Sequence, residues 1–191
     1  MARAGDRLTL EGYDDSVLFI ATGEETAGEL LSYDVSFRPR GVVTLEHLHA
    51  RQEERHELVS GNLALKVNGS VQRLTEGQPV AVAPGVPHAL VPIDDGEVRM
   101  RFELRPALRW EEIFEAATRL FSPHRFRTWR GYPNPLLLAM FAREYEQEYL
   151  ATVVPLSVQR AVLGPLAALG TRLGYQRHMR AGRGAQSAIG L

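Results

Sequence analysis

Cysteine is absent from the chain, which excludes a disulfide framework and any thiolate metal site. Lysine is nearly absent: Lys66 is the one lysine among 22 basic residues. With the abundance of Ala, Gly and Leu, that bias fits a GC-rich bacterial genome. No stretch approaches the roughly 18 uninterrupted apolar residues of a membrane-spanning helix. The first residues, Met1 to Arg7, are polar and lack the apolar centre of a secretory leader. Together these absences lead us to expect a cytoplasmic protein. Internal repeats, heptads, a phosphate-binding glycine loop, a nucleophile elbow and a helix-turn-helix segment are also missing. The last of these argues against direct reading of DNA, and we expect no nucleic-acid partner.

The 191 residues are 45% hydrophobic and 24% charged, enough apolar material for the core of one domain with an appendage. A net charge of -1 conceals two unlike halves. Residues 1–105 carry 17 acidic and 11 basic side chains, whereas residues 106–191 carry 6 and 11. The hydrophobic period changes at the same place. Before it, short alternating segments recur between turns. Leu31, Tyr33, Val35 and Phe37 share one face of a strand over 29–37. Asn62 to Val67 and Val71 to Leu74 flank Asn68–Gly69, a strong two-residue hairpin signal. Val98, Met100, Phe102 and Leu104 alternate with charged residues. Many short strands with frequent turns predict a closed antiparallel sandwich or barrel over 1–105.

After Pro106 the period is helical. Trp110, Ile113, Phe114, Ala117 and Phe121 fall on one face of a helix over 110–121, with Glu111 and Glu112 at its positive end. Residues 122–133 read as a loop that interleaves His124, Arg125, Phe126, Arg127, Trp129 and Arg130. Such a loop is most simply a solvated connector, although the same mixture can bind phosphate. Asn134 caps a second predicted helix that starts at Pro135 and runs to about Leu150. Pro155 opens a third, which Gly164–Pro165 should break or kink, and the end from Gly174 should fray. Residues 151–191 hold five arginines and no acidic residue. The plainer reading of this tail is a helix packed on the barrel or on a second subunit. The alternative is an amphipathic helix lying on an anionic membrane surface.

The chemistry concentrates in residues 41–61. Val43, Leu45, His47 and His49 fall on one side of an alternating strand, so the two imidazoles continue an apolar, inward face. Beyond a break at Ala50 to Gln52, Glu54, His56 and Leu58 share a face, with Glu53, Arg55 and Glu57 opposite. Interior imidazoles and a carboxylate are costly unless paired, and a divalent cation pairs with all of them. About thirty residues on, Gly77 leads through a short apolar strand to a Pro84–Gly85–Val86–Pro87 corner that presents His88. Three imidazoles and one carboxylate suit borderline first-row ions (Mn, Fe, Co, Ni, Cu or Zn) better than Ca or Mg. Glu53 could replace Glu54 only if the Ala50 to Gln52 loop bulged.

In these two segments the sequence resembles the cupin superfamily. Its first motif, G-x5-H-x-H-x4-E-x6-G, is met by Gly41, His47, His49, Glu54 and Gly61. Its second, G-x5-P-x-G-x2-H-x3-N, is met by Gly77, Gly85 and His88, with Ala83 and Pro92 in place of the usual proline and asparagine. The resemblance covers roughly 28–105. It implies a mainly β, double-stranded β-helix (jelly-roll) barrel over 1–105, followed here by a helical C-terminal extension over 106–191. It also implies metal ligation by His47, His49, Glu54 and His88, and a tendency to form homodimers.

His56 shares the face of Glu54 and is read most simply as a satisfied interior histidine, or else as a group that supports the metal site from behind its ligands or as a proton shuttle. Tyr33, Phe37, Met100 and Phe102 are candidates for lining a substrate cavity, or else plain core. We expect a metal-dependent oxygenase, with iron or manganese, acting on a small aromatic, enolic or polyketide-like molecule. The alternatives are a non-redox isomerase or cyclase at the same metal, and a small-ligand-binding protein without chemistry.

Overall fold

A computed structural model describes residues 2–9, 16–39, 45–121 and 134–179. The elements in chain order begin with β1 (Arg7–Thr9), β2 (Ser16–Ala21), β3 (Leu31–Phe37), β4 (His47–Leu48) and β5 (Glu53–Ser60). They continue with β6 (Leu63–Val67), β7 (Ser70–Arg73), β8 (Val80–Val82), β9 (His88–Pro92) and β10 (Val98–Arg105). Then come α1 (Trp110–Phe121), α2 (Pro135–Glu144), β11 (Leu150–Ala151), α3 (Leu156–Arg172) and the short α4 (Gln176–Met179). The strands form a six-stranded sheet in the order β1-β2-β3-β10-β5-β8 and a five-stranded sheet in the order β11-β4-β9-β6-β7. Every pairing is antiparallel. The fold is therefore mainly β, a double-sheet barrel of the cupin type with a helical C-terminal extension.

Local chemistry explains the main turns and strands. Asn68 and Gly69 both have positive φ, 47° and 85°, the geometry of the tight hairpin turn that joins β6 to β7. In β5, Glu54, His56 and Leu58 are buried while Glu53 and Arg55 are exposed, as strict alternation demands. In β10, Val98, Met100, Phe102 and Leu104 are buried and join Phe19, Leu31, Leu63 and Leu65 in the core. Asp34, on the face of β3 opposite Tyr33, is buried although charged. Arg99 and Arg101, its neighbours on β10, reach it at 2.8 Å, and together they hold its carboxyl below the usual range against the pull of burial.

Four expectations are corrected. Leu45 is 51% exposed rather than inward. The strand there is only His47–Leu48, and a bend at Glu46 ends the alternation that would have turned Leu45 in. In α1, Trp110 and Ile113 are buried and Phe114 packs on the core as expected, but Glu111, Ala116 and Leu120 are buried as well, so the packed face is wider than expected. Glu111 is turned inward because its carboxylate accepts the Gly23 N–H at 2.5 Å. The second helix stops at Glu144, not near Leu150, because Leu150 and Ala151 pair with β4. Last, α3 runs without a break through Pro165. An interior proline costs about 3 kcal/mol, which the packing of α3 on α2 offsets. At that contact a Cβ on Gly170 would come within 2.6 Å of Met140 Sδ.

Several readings lie outside the described residues: Gly41 and Val43 of the histidine segment, the basic and aromatic loop over 122–133, and the tail beyond 179. Among the described residues, no helix is long and apolar enough to cross a membrane.

Gly61 shows why the first motif ends on glycine. Its φ is 102°, and an added Cβ would sit 2.6 Å from the Glu97 carbonyl oxygen. Both the backbone conformation and the space exclude a side chain. Gly61→Ala is expected to lower unfolding free energy by more than about 1 kcal/mol. Chemical denaturation checks this, and an unchanged midpoint would contradict it.

Candidate metal centre

The two sheets bring different chemistry to one point. The five-stranded sheet supplies imidazoles: His47 on β4, His49 just after it, and His88 at the start of β9, with His47 directly opposite His88. The six-stranded sheet supplies Glu54 and His56 from β5, opposite Leu104 and Phe102 of β10. The peptide N–H of Gly85, at the corner before His88, donates to the His49 carbonyl at 2.8 Å. That bond ties the two sequence motifs together. Ligand-type atoms of His47, His49, Glu54 and His88 all lie within 4.8 Å of one another, and all four residues are buried.

Ring protons decide what these groups can do. His47 Nδ1 lies 2.8 Å from the Leu45 carbonyl, His49 Nδ1 2.5 Å from the Glu148 carbonyl, and His88 Nδ1 2.9 Å from the Val86 carbonyl. A carbonyl oxygen only accepts, so each Nδ1 must donate. A neutral ring then has a bare lone pair on Nε2. Yet His49 Nε2 and His88 Nε2 face Glu54 Oε2 at 2.9 and 2.7 Å. Lone pair would meet carboxylate at the centre of a dry site.

Two things relieve that conflict, an extra proton or a cation. Burial holds the His47 imidazole near about 3 despite the attraction of Glu54, so this ring stays neutral. Burial also lowers His49, but Glu54 and the Glu148 carbonyl more than reverse it and raise it overall. The Glu54 carboxyl, which burial alone would raise, is held well below its usual range by His56, His49 and His88. Without a cation, the carboxylate is held ionised beside an imidazole, His49, whose hold on a proton is strengthened. The donor set fits a divalent cation: lone pairs fixed by backbone acceptors, one ionised carboxylate, and no competing ammonium or guanidinium nearby in the described residues.

The other sequence-derived residues separate into two groups. His56 Nε2 lies 3.4 Å from Glu54 Oε2, and its Nδ1 is buried with no hydrogen-bond partner among the described residues. Burial holds the ring near about 4, hence neutral. Phe102 meets His56 edge-on at 5.3 Å and stacks on Tyr33 at 5.2 Å, so this pair stands at the level of the site. Met100 and Phe37 are buried further along β10 and β3, opposite Leu58 and Val98. Phe37 is four residues beyond Tyr33, about 13 Å at strand spacing.

Four contributors escaped the sequence reading, all from the C-terminal extension or its contacts. Trp110 meets His49 edge-on at 5.5 Å. Its indole N–H donates to the Gln52 side chain at 2.9 Å. Gln52, fully buried, in turn donates to the Pro106 and Ala107 carbonyls. Tyr149 stacks on His47 at 4.3 Å and 18°, and the peptide carbonyl of Glu148 orients His49. Trp110 was legible only as a core position, and Tyr149 fell inside an expected helix.

Comparison with known proteins comes to the same place. Residues 33–104 match the family described as the cupin domain. No curated protein matches the chain. Among solved structures, it is similar to a sugar phosphate isomerase of the cupin superfamily from Silicibacter pomeroyi, at 20% identity over 48% of this chain and 59% of that one, with a TM-score of 0.41. KdgF from Halomonas sp. is similar at 19% identity over 52% of this chain and 86% of that one, with a TM-score of 0.43. So is the nucleoside dehydratase Pac13 of Streptomyces, at 15% identity over 56% of this chain and 81% of that one, with a TM-score of 0.43. This chain spans 59% of the isomerase's length. Likenesses of this size carry no argument about activity.

Metal binding must displace the proton held at His49. Affinity for Zn(II) is therefore expected to tighten with rising pH, by up to about tenfold per unit for one proton. The slope should level off above the raised pKa of His49. Glu54→Gln is expected to weaken binding by more than the roughly 10–100-fold that loss of an outer partner costs. Chelator competition across pH measures both. An affinity independent of pH, or insensitive to Glu54→Gln, would contradict the assignment.

Proposed function

We propose that this chain, a cupin by its residues 33–104, is a metal-dependent oxygenase of a small aromatic, enolic or polyketide-like molecule. His47, His49, Glu54 and His88 would hold one first-row divalent ion, iron or manganese. The observation that carries the reading is the pinning of three Nδ1 protons on backbone carbonyls beside a buried carboxylate. When bound, such an ion supplies a Lewis acid and, if redox-active, electrons for dioxygen. Four protein donors leave a six-coordinate ion room for two further ligands, as a working site requires.

The chain's own residues do the rest. Backbone acceptors fix the ring orientations, so no reorganisation is needed when charge develops. Trp110, Tyr149, Phe102 and Tyr33 wall the site with rings, which excludes water and strengthens every charge interaction inside. Flat, conjugated substrates suit such walls.

His56 favours a second reading. Its Nδ1 is buried with no hydrogen-bond partner among the described residues, and its Nε2 lies 3.4 Å from Glu54 Oε2, so His56 would be the interior group that exchanges a proton with a bound molecule. Proton transfer without dioxygen would make the reaction an isomerisation or a cyclisation. The two readings separate when the protein is loaded in turn with Fe(II), Mn(II), Ni(II) or Zn(II) and offered enolic and phenolic compounds under air and under nitrogen. Oxygenation predicts dioxygen uptake with Fe(II) or Mn(II), and a product heavier by one or two oxygen atoms. Turnover under nitrogen with Zn(II) or Ni(II), lost by about 10²–10⁴ in kcat in His56→Ala, would replace it with the second. Binding without any product would overturn both.

A further inference from the structure

The residues that finish the metal centre lie far outside the cupin domain. After α2, a turn over Tyr145–Glu148 is closed by the Glu148 and Tyr149 N–H groups donating to the Tyr145 carbonyl at 3.1 and 2.9 Å. The chain then runs as β11 along β4, with Leu150 opposite Leu48 and Ala151 opposite His47. The Thr152 N–H extends the ladder to the Glu46 carbonyl at 2.8 Å, and its hydroxyl reaches the Glu46 carboxylate at 3.2 Å. This strap covers the edge of the strand that carries the first two imidazoles.

Two of the four ligands are oriented from it. The Glu148 carbonyl accepts the His49 Nδ1 proton at 2.5 Å. The Tyr149 ring lies on the His47 ring, and its hydroxyl donates at 3.4 Å to the Leu45 carbonyl, the acceptor of the His47 Nδ1 proton. Behind the strap, the Gln159 side chain of α3 donates to the Ala151 and Val154 carbonyls, each at 2.6 Å. Arg160 pairs with Glu146. On the other flank, Arg109 stands 4.9 Å over the Tyr145 ring and pairs with Glu112 and Glu144. The strap is thus held between α1, α2 and α3 on one side and the ligand strand on the other.

We propose that residues 145–152 are an integral part of the metal centre, with Tyr149 the positioning residue for His47 and the Glu148 peptide that for His49. The helical extension thereby sets the metal affinity of the barrel. This inference rests on the metal reading above. A two-residue β4 has too little backbone bonding of its own to hold two imidazoles in register. An outer partner that fixes a ligating imidazole is worth about 10–100-fold in metal affinity. Of the two contacts by which Tyr149 reaches His47 and its acceptor, the near-parallel ring stack is the stronger, because the hydroxyl bond at 3.4 Å is long.

The test uses the full chain and Co(II), whose visible spectrum reports ligand geometry, with affinity from chelator competition. Tyr149→Ala is expected to weaken Co(II) by about 10–100-fold and to shift the spectrum. Tyr149→Phe keeps the stack and should restore both. Gln159→Ala, which touches no ligand, should weaken binding in the same direction by loosening the strap. Asp34→Asn, away from the site, is the control for general loss of stability: it should melt earlier and bind Co(II) as the parent does. In metal-free protein, the His49 Nδ1–H signal in nitrogen-15 correlated NMR spectra should be slow to exchange, and lost in Tyr149→Ala. Parent-like affinity and spectrum in Tyr149→Ala and Gln159→Ala would overturn this inference while leaving the metal reading intact. A parent protein that binds no divalent ion would overturn both.

Discussion

Everything in this molecule turns on one ionised carboxylate, Glu54, placed in a dry interior with imidazole nitrogens around it. Desolvation alone would neutralise such a group. Here, His56 on the same strand, with His49 and His88 from the opposite sheet, holds it charged, and the Nδ1 protons of His49 and His88 are already committed to backbone carbonyls. The arrangement is unfavourable for neutral rings and favourable for one proton or one cation. A double-sheet barrel is what makes it attainable. Neither sheet holds the full set, because the carboxylate belongs to β5, whereas His47 and His88 belong to β4 and β9 and His49 follows β4. Only their face-to-face packing brings acceptor and donor within 3 Å.

Much of this was legible before any coordinates. Alternation in β5 separates Glu54 from Glu53 with no further information, since a one-residue slip would expose the whole set. Asn68–Gly69 announces its hairpin because few residues tolerate positive φ twice in succession. The two departures from the second motif are tolerated for local reasons. Gly85 still turns with φ 78° although Ala83 precedes it in place of proline. Pro92 is the last residue of β9, where a missing N–H is least costly.

What was not legible shares one cause. Periodicity reads contacts within a segment, and the failures concern contacts between segments. Leu45 looked inward because alternation was carried across a bend it could not detect. Residues 145–150 looked helical because the preceding turns were, and nothing local signals a strand of two residues. Its existence depends on the open edge of β4 about a hundred positions earlier. Trp110 had the spacing of a core residue, and it is one, yet its indole N–H also secures Gln52 beside the histidine loop. A side chain can belong to the core and to the site, and sequence pattern sees only the first.

The position of the strap follows from the brevity of β4. An edge strand exposes unpaired backbone groups, and this one carries ligands whose orientation matters to within fractions of an ångström. Longer pairing with β9 would anchor it, but the ladder between them holds the single His47–His88 match. On the free side, β11 supplies two further matches, the Glu148 carbonyl and the Tyr149 ring. A barrel cut after β10 would therefore keep all four clustered side chains and lose the groups that aim two of them. The identity of the clustered groups is encoded in the motifs; the orientation of His47 and His49 depends in part on the extension.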